Sequence, residues 1–335
     1  MPKVVLVTGA SGFLASHIIH QLLLHNYHIR ATAREGKLEE LRQLYKDHPF
    51  VEIIQLDNIS NGQFAEGALE GVEAVIHTAN PLPGRTSPEE VMKSAIDGSL
   101  NVLRQGEKYG VQKFVVTGSS HNFLGDPATK GVSYQADHWN AVTKEEASED
   151  STKAYAGSKK FAELAVWEWA EQHPHVEVTT TPADFASFST NLNIYNLLTP
   201  TGKYPARPAY VDVRDAARAH VGAIEKPTSS GRRRVILASP HGVVFDDLLK
   251  LIKRARPELE GRLITSPAPK FAFDRYDVDF GRIEEITGLR KEDFRTLEES
   301  FLETIDALLA VEDSWKKAGY SVESVPSIRL EGRMI

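Results

Sequence analysis

The chain has 335 residues, 41% of them apolar, and a formal net charge of −7. That is length for one large α/β domain with an appendage or for two domains, with apolar content enough for a core, which excludes a disordered chain. The negative balance argues against nucleic acid or an anionic membrane as the main partner, and the absence of cysteine excludes disulfides, thiolate chemistry and cysteine-ligated zinc.

Val4-Val5-Leu6-Val7 is a short apolar run that predicts a buried strand. It leads into Thr8-Gly9-Ala10-Ser11-Gly12-Phe13-Leu14-Ala15 and an apolar-faced helix through Leu24. A glycine turn between strand and helix lets backbone N–H groups close on a pyrophosphate, helped by the partial positive charge of the helix N-terminus. Gly9 allows the tight turn, Gly12 clears the phosphates, and Ala15 stands where a third glycine would pack helix on strand.

Further candidate strands are 28–33, 51–56, 74–78, 113–117, 176–181 and 234–237, and helical spacing lies between most of them, as at 38–45 and 88–109. Strands that are continuously apolar and alternate with helices predict a parallel sheet covered on both faces. The expected architecture is α/β, a Rossmann-type doubly wound sheet over 1–180 with 207–237 returning to it. Residues 181–206 and 238–335 form a smaller, mostly helical substrate lobe, with amphipathic stretches near 244–255, 280–287 and 295–318. Arg232-Arg233-Arg234 is expected as a solvated turn. Residues 1–30 show no secretory signal and no run of about eighteen apolar residues could span a bilayer, so a cytoplasmic location is expected.

The second strand bears on cofactor choice. A site selective for NAD carries Asp or Glu at its end, whereas this strand ends Thr32-Ala33-Arg34. A guanidinium fork binds a ribose 2′-phosphate that a carboxylate repels, which favours NADP(H), with Lys37 as a second positive charge. The alternative is a solvated arginine at a helix start, since Glu35 follows. Asp57, at the end of the third strand, either meets the adenine amino group or caps a loop.

Tyr155 and Lys159 head a helical run and, four residues apart, share one face. A neighbouring ammonium favours the phenolate and lowers a tyrosine pKa from about 10, so Tyr155 can act as an acid near neutrality. Ser119 and Ser120 follow the fifth strand, at the sheet end where such folds do chemistry. Either can hold a substrate oxygen, and either can serve as an ordinary helix cap.

With these segments in view, the sequence resembles the extended branch of the short-chain dehydrogenase/reductase superfamily. Within it the resemblance is to the dihydroflavonol-reductase-like carbonyl reductases of fungi and plants, a subgroup that includes methylglyoxal, aldehyde and cinnamoyl-CoA reductases. The matching segments are 8–18, Ala33-Arg34, Val75–Ala79, Asp97–Leu103, Tyr155–Lys159 and Tyr210–His220, and the likeness runs from Val4 to about residue 310. It implies a Ser–Tyr–Lys triad at Ser119, Tyr155 and Lys159, and NADPH on the glycine turn with Arg34 at the 2′-phosphate. Thr78 and Ala79 would line the cofactor, and Ser11, Phe13, Leu14, Asn58 and Pro182 complete the expected cofactor contacts. Leu82, Ser120, His121, Phe123 and Asp184 are the expected substrate contacts, and no metal is expected.

The sequence departs from the family pattern in three places. Gly118 precedes the paired serines, so a one-residue shift would move the catalytic role to Ser120. His121-Asn122 replaces small residues. Asp184 enters a loop, 182–188, that has lost the family's second proline and glycine. The expected function is NADPH-dependent reduction of the carbonyl of a small hydrophobic or aromatic aldehyde or ketone, by a monomer or homodimer. The competing expectations are an epimerase or dehydratase that holds NAD, and a dinucleotide-binding sensor without turnover.

Overall fold

The computed structural model describes residues 3–80, 87–124, 133–182, 191–227 and 231–319. Its strands are β1 (Val4–Thr8), β2 (His28–Ala33), β3 (Val51–Gln55), β4 (Val72–His77), β5 (Lys113–Thr117), β6 (Ser133–Tyr134), β7 (Glu177–Thr181), β8 (Arg233–Arg234) and β9 (Asp277–Val278). Seven of them form one parallel sheet in the order β3-β2-β1-β4-β5-β7-β8, and β6 pairs with β9 in a two-stranded ribbon. The helices are α1 (Phe13–Leu24), α2 (Glu35–Leu44), α3 (Pro88–Lys108), α4 (Lys144–Glu149), α5 (Ser151–Gln172), α6 (Asn191–Leu197), α7 (Val213–Glu225), α8 (Phe245–Ala255), α9 (Phe280–Thr287) and α10 (Leu297–Lys317). This is the expected doubly wound α/β fold.

The apolar run of β1 is explained by burial on both faces. Val5 and Val7 pack with Ile18, Ile19 and Leu22 of α1 and Val221 of α7. Leu6 turns the other way, toward Val102 and Leu103 of α3 and Val166 and Trp167 of α5. Each such aliphatic side chain contributes about 1.5–3 kcal/mol when fully buried. The strand order reverses beside β1, with β2 and β3 on one side and β4 onward on the other. The crevice at the C-terminal ends of β1 and β4 is therefore a topological switch point, where doubly wound sheets bind ligands.

Two compact units emerge. One comprises Met1–Phe185, Val211–Ala238 and Tyr276–Phe294, and the other comprises Ala186–Tyr210, Ser239–Arg275 and Arg295–Ile335. The second unit has its own core of Phe245, Leu248 and Ile252 from α8 with Phe301 and Ile305 from α10. Segment 276–294 was expected in the C-terminal lobe. It packs instead in the first unit, where Arg218 of α7 donates to the Asp293 carbonyl at 2.5 Å.

The arginine run is not a solvated turn. Arg232 is exposed and pairs with Glu171, but Arg233 and Arg234 are 2% and 1% exposed. They lie in β8, and β7, α5 and the C-terminal end of α7 supply their acceptors. Arg233 donates to Thr179 Oγ1 and to the carbonyls of Ala223 and Pro227, while Arg234 pairs with Glu163 at 2.9 Å. A buried guanidinium is tolerated only when its donors are satisfied in this way.

Among the described residues no helix is long and apolar enough to cross a membrane.

Candidate active site

Thr8 ties the two strands at the switch point together. Its hydroxyl lies 2.7 Å from Nδ1 of His77 and accepts the N–H groups of Thr78 and Ala79, while the Thr78 hydroxyl donates to the Thr8 carbonyl at 2.6 Å. Burial, helped by the charge of Lys159, pushes the His77 pKa down to about 3, so the imidazole is neutral. Gly9 adopts φ +73°, and a Cβ there would sit 3.0 Å from the Ala79 Cα. Only glycine allows both that backbone and that approach. Gly12 N–H donates to the Gly9 carbonyl at 2.9 Å, and Gly12 heads α1 with no side-chain cap and no carboxylate in the first turn. A bare helix N-terminus reached by a glycine turn fits the pyrophosphate of a dinucleotide. Ser11 is exposed on this turn, Phe13 is half-buried against His17, and Leu14 points into the core.

At the end of β2, Arg34 is exposed at the N-cap of α2. Lys37 pairs with Glu40 at 2.7 Å. Asp57 accepts the Glu35 N–H at 2.7 Å and the Gln55 amide at 2.5 Å; these bonds, with the nearby Arg34 charge, hold its carboxyl below the usual range. Asn58 accepts the N–H groups of Ser60 and Asn61. The side chains of Asp57 and Asn58 thus act as caps, leaving Arg34 as the exposed cation at the strand end.

The third cluster sits beyond β5. Ser119 caps a short helical turn over Ser120–Asn122, accepting the His121 N–H, and its hydroxyl lies 3.3 Å from His121 Nδ1. The exposed His121 ring meets the half-buried Tyr155 ring edge to face, with centroids 5.1 Å apart. Lys159 is buried one turn along α5 from Tyr155; burial lowers its pKa to about 8 against the opposing pull of Glu163. A small cavity of mixed lining reaches Lys159, with His77, Asn80, Ser99 and Asn122 among the polar residues on its wall. The Ser120 hydroxyl is buried with no hydrogen-bond partner. The structure therefore brings Ser119 and Tyr155 onto the same imidazole and leaves Ser120 turned inward.

The model of the NAD dependent epimerase/dehydratase family matches residues 5–238. The chain belongs to this family. It is 30% identical over 328 residues to tetraketide alpha-pyrone reductase 1 of Arabidopsis thaliana, covering 91% of this chain and 95% of that protein. It is 28% identical over 343 residues to the NADPH-dependent methylglyoxal reductase GRE2 of Saccharomyces cerevisiae, covering 92% and 98%. The crystal structure of yeast methylglyoxal/isovaleraldehyde reductase Gre2 complexed with NADPH superposes with a TM-score of 0.78 at 26% identity, covering 93% of this chain and 99% of that one.

Elsewhere in this epimerase/dehydratase-family chain, the expected contacts scatter. Pro182 is buried against Gly118, where a Cβ would come within 2.8 Å of its Cα. Phe123 is 3% exposed and packs edge to face on Tyr134 and Tyr276, inside an aromatic cluster. Leu82 and Asp184 lie outside the described residues. Sequence reasoning missed three polar residues behind Ser119, Tyr155 and Lys159. Glu163 follows Lys159 by four residues on the same face of α5, a legible signal. Arg234 and His220 gave none, since their partners are distant in sequence. His220 is fully buried between the hydroxyls of Thr117 (2.9 Å) and Thr181 (2.8 Å), and burial lowers its pKa to about 4.

Proposed function

We propose that the chain is an NADPH-dependent reductase that converts the carbonyl of a small aldehyde or ketone to an alcohol. The observation that carries this reading is the convergence of Ser119 and Tyr155 on His121, with Lys159 buried one turn behind Tyr155. The likeness to the methylglyoxal and alpha-pyrone reductases, which extends over nearly their whole length, supports it.

The backbone of Gly9, Ser11, Gly12, Phe13 and Leu14 would receive the pyrophosphate, the Arg34 fork the 2′-phosphate, and Lys159 the ribose hydroxyls. Lys37, Asp57, Asn58, Thr78, Ala79 and Pro182 surround these groups in the proposed site. NADPH, when bound, supplies the hydride. Ser119 Oγ holds the carbonyl oxygen, and Tyr155 Oη donates the proton that oxygen needs as its carbon is reduced. Lys159 favours the resulting phenolate through its charge. His121, exposed beside both, contributes a polar edge to the substrate side. In this reading the enzyme is cytoplasmic and acts on small molecules as a monomer or homodimer.

The test is oxidation of NADPH and of NADH, followed by loss of their near-ultraviolet absorbance, with a panel of aliphatic and aromatic carbonyls. The expected outcome is turnover with NADPH and little with NADH. Equal use of both, or interconversion of a sugar nucleotide without net oxidation, contradicts the reading.

A further inference from the structure

The Glu163 carboxylate is 3% exposed, and four hydrogen bonds converge on it. Thr180 Oγ1 donates at 2.5 Å, Asn122 Nδ2 at 2.5 Å, and Arg234 through Nε at 2.9 Å and Nη2 at 3.3 Å. Asn122 works in three directions. Its Nδ2 also reaches the Lys159 carbonyl at 3.3 Å, and its Oδ1 accepts the Ser119 N–H at 3.0 Å. One amide therefore sets the spacing between the turn that carries Ser119 and the helix that carries Tyr155 and Lys159. Arg234 anchors the far side, donating to the carbonyls of Ala136 and His138 with its guanidinium 3.9 Å from the Trp139 ring centroid. A buried network with every member satisfied is rigid, and it fixes whatever is attached to it.

We infer that Asn122, Glu163 and Arg234 form a positioning unit that holds Ser119 in register with Tyr155 and keeps Lys159 charged. This rests on the reductase reading above. Of the titratable groups around Lys159, Tyr155 and Glu163 share its helix and His77 faces it from β4. Burial drives the Lys159 pKa down to about 8, His77 stays neutral near neutral pH, and Glu163 is the charge that opposes the loss of the proton. Thr180 and Arg234 in turn hold Glu163 in place. None of the three residues touches the reacting atoms, so their effect would pass through Ser119 and Lys159.

The experiment uses the full chain and three variants, one of them for signal assignment, with folding checked by circular dichroism. Glu163→Gln alone leaves Arg234 buried without its partner, so Glu163→Gln is combined with Arg234→Met. Lys159 is titrated by carbon NMR in protein labelled at the lysine ε-carbons, its signal assigned with Lys159→Arg. In the double variant the Lys159 midpoint should fall by about one to three pH units, and the alkaline limb of kcat should move the same way, because reduction needs the ammonium. Asn122→Ala should lower kcat about 10- to 100-fold with the NADPH dissociation constant unchanged, as misplacement of one group does. A folded double variant with the wild-type Lys159 titration overturns the inference, and so does a folded Asn122→Ala enzyme with wild-type kcat. If the wild-type chain oxidises no NADPH, the reductase reading falls, and the Lys159 titration still decides this one.

Discussion

In the proposed reading, cofactor choice turns on Arg34. It is exposed at the N-cap of α2, and the nearby acids Asp57 and Glu40 are occupied by a helix start and by Lys37. Replacing it by aspartate removes a charge-assisted contact of about 1.5–3 kcal/mol and adds repulsion. Arg34→Asp should thus weaken NADPH binding, measured by fluorescence, far more than NADH binding; equal weakening would assign the 2′-phosphate to another residue. The serines are a second test. Ser119→Ala should lower kcat strongly and spare cofactor affinity, with Ser120→Ala doing less, because only Ser119 contacts the imidazole beside Tyr155. The reverse order moves the role to Ser120. Tyr155 and Lys159 were legible because helical spacing alone puts them on one face. Ser119 was legible only to within one residue, since a turn has no periodicity to fix register. Arg234 was opaque, because its carboxylate partner lies 71 residues away.

The sheet was legible almost strand for strand, because its central strands β1, β4 and β5 carry apolar runs buried on both faces; the paired arginines of β8 carried no such signal. The 276–294 return was not, since an amphipathic helix records that it packs but not on what; α9 reads the same against α7 as against any apolar face. The proposed function rests on two tight elements of this frame, the turns after β1 and β5. Gly9→Ala imposes a left-handed backbone worth about 1–2 kcal/mol on a residue with a Cβ, and sets that Cβ 3.0 Å from the Ala79 backbone. Relief requires the turn to move away from the end of β4. The expected result is a lower urea midpoint together with NADPH affinity reduced at least tenfold. A variant that loses neither would mean that the turn has slack and does not depend on this approach.

Taken across the full chain, stability should fall in mild acid. His77 and His220 are buried and neutral, with folded pKa values near 3 and 4 against an unfolded value of 6.5. Below 6.5 the unfolded chain takes up protons that the folded chain refuses until far lower pH. Each histidine therefore adds stability that is present above 6.5 and is lost as pH falls toward its folded pKa, at up to about 1.4 kcal/mol per pH unit. Urea midpoints at pH 7 and pH 5 should show this loss, and His220→Gln should flatten it by one proton's share; an unchanged slope would place the His220 proton elsewhere. Lys159, buried one turn along α5 from Tyr155, is the cation that the proposed chemistry uses. The most direct measurement is therefore turnover of Tyr155→Phe, followed by NADPH absorbance with a reactive aldehyde while NADPH binding is followed by fluorescence. The ring and its packing are kept and only the proton donor is lost, so binding should persist and the rate should drop about 10²–10⁴-fold. A Tyr155→Phe enzyme that reduces the aldehyde at near the wild-type rate would contradict the mechanism.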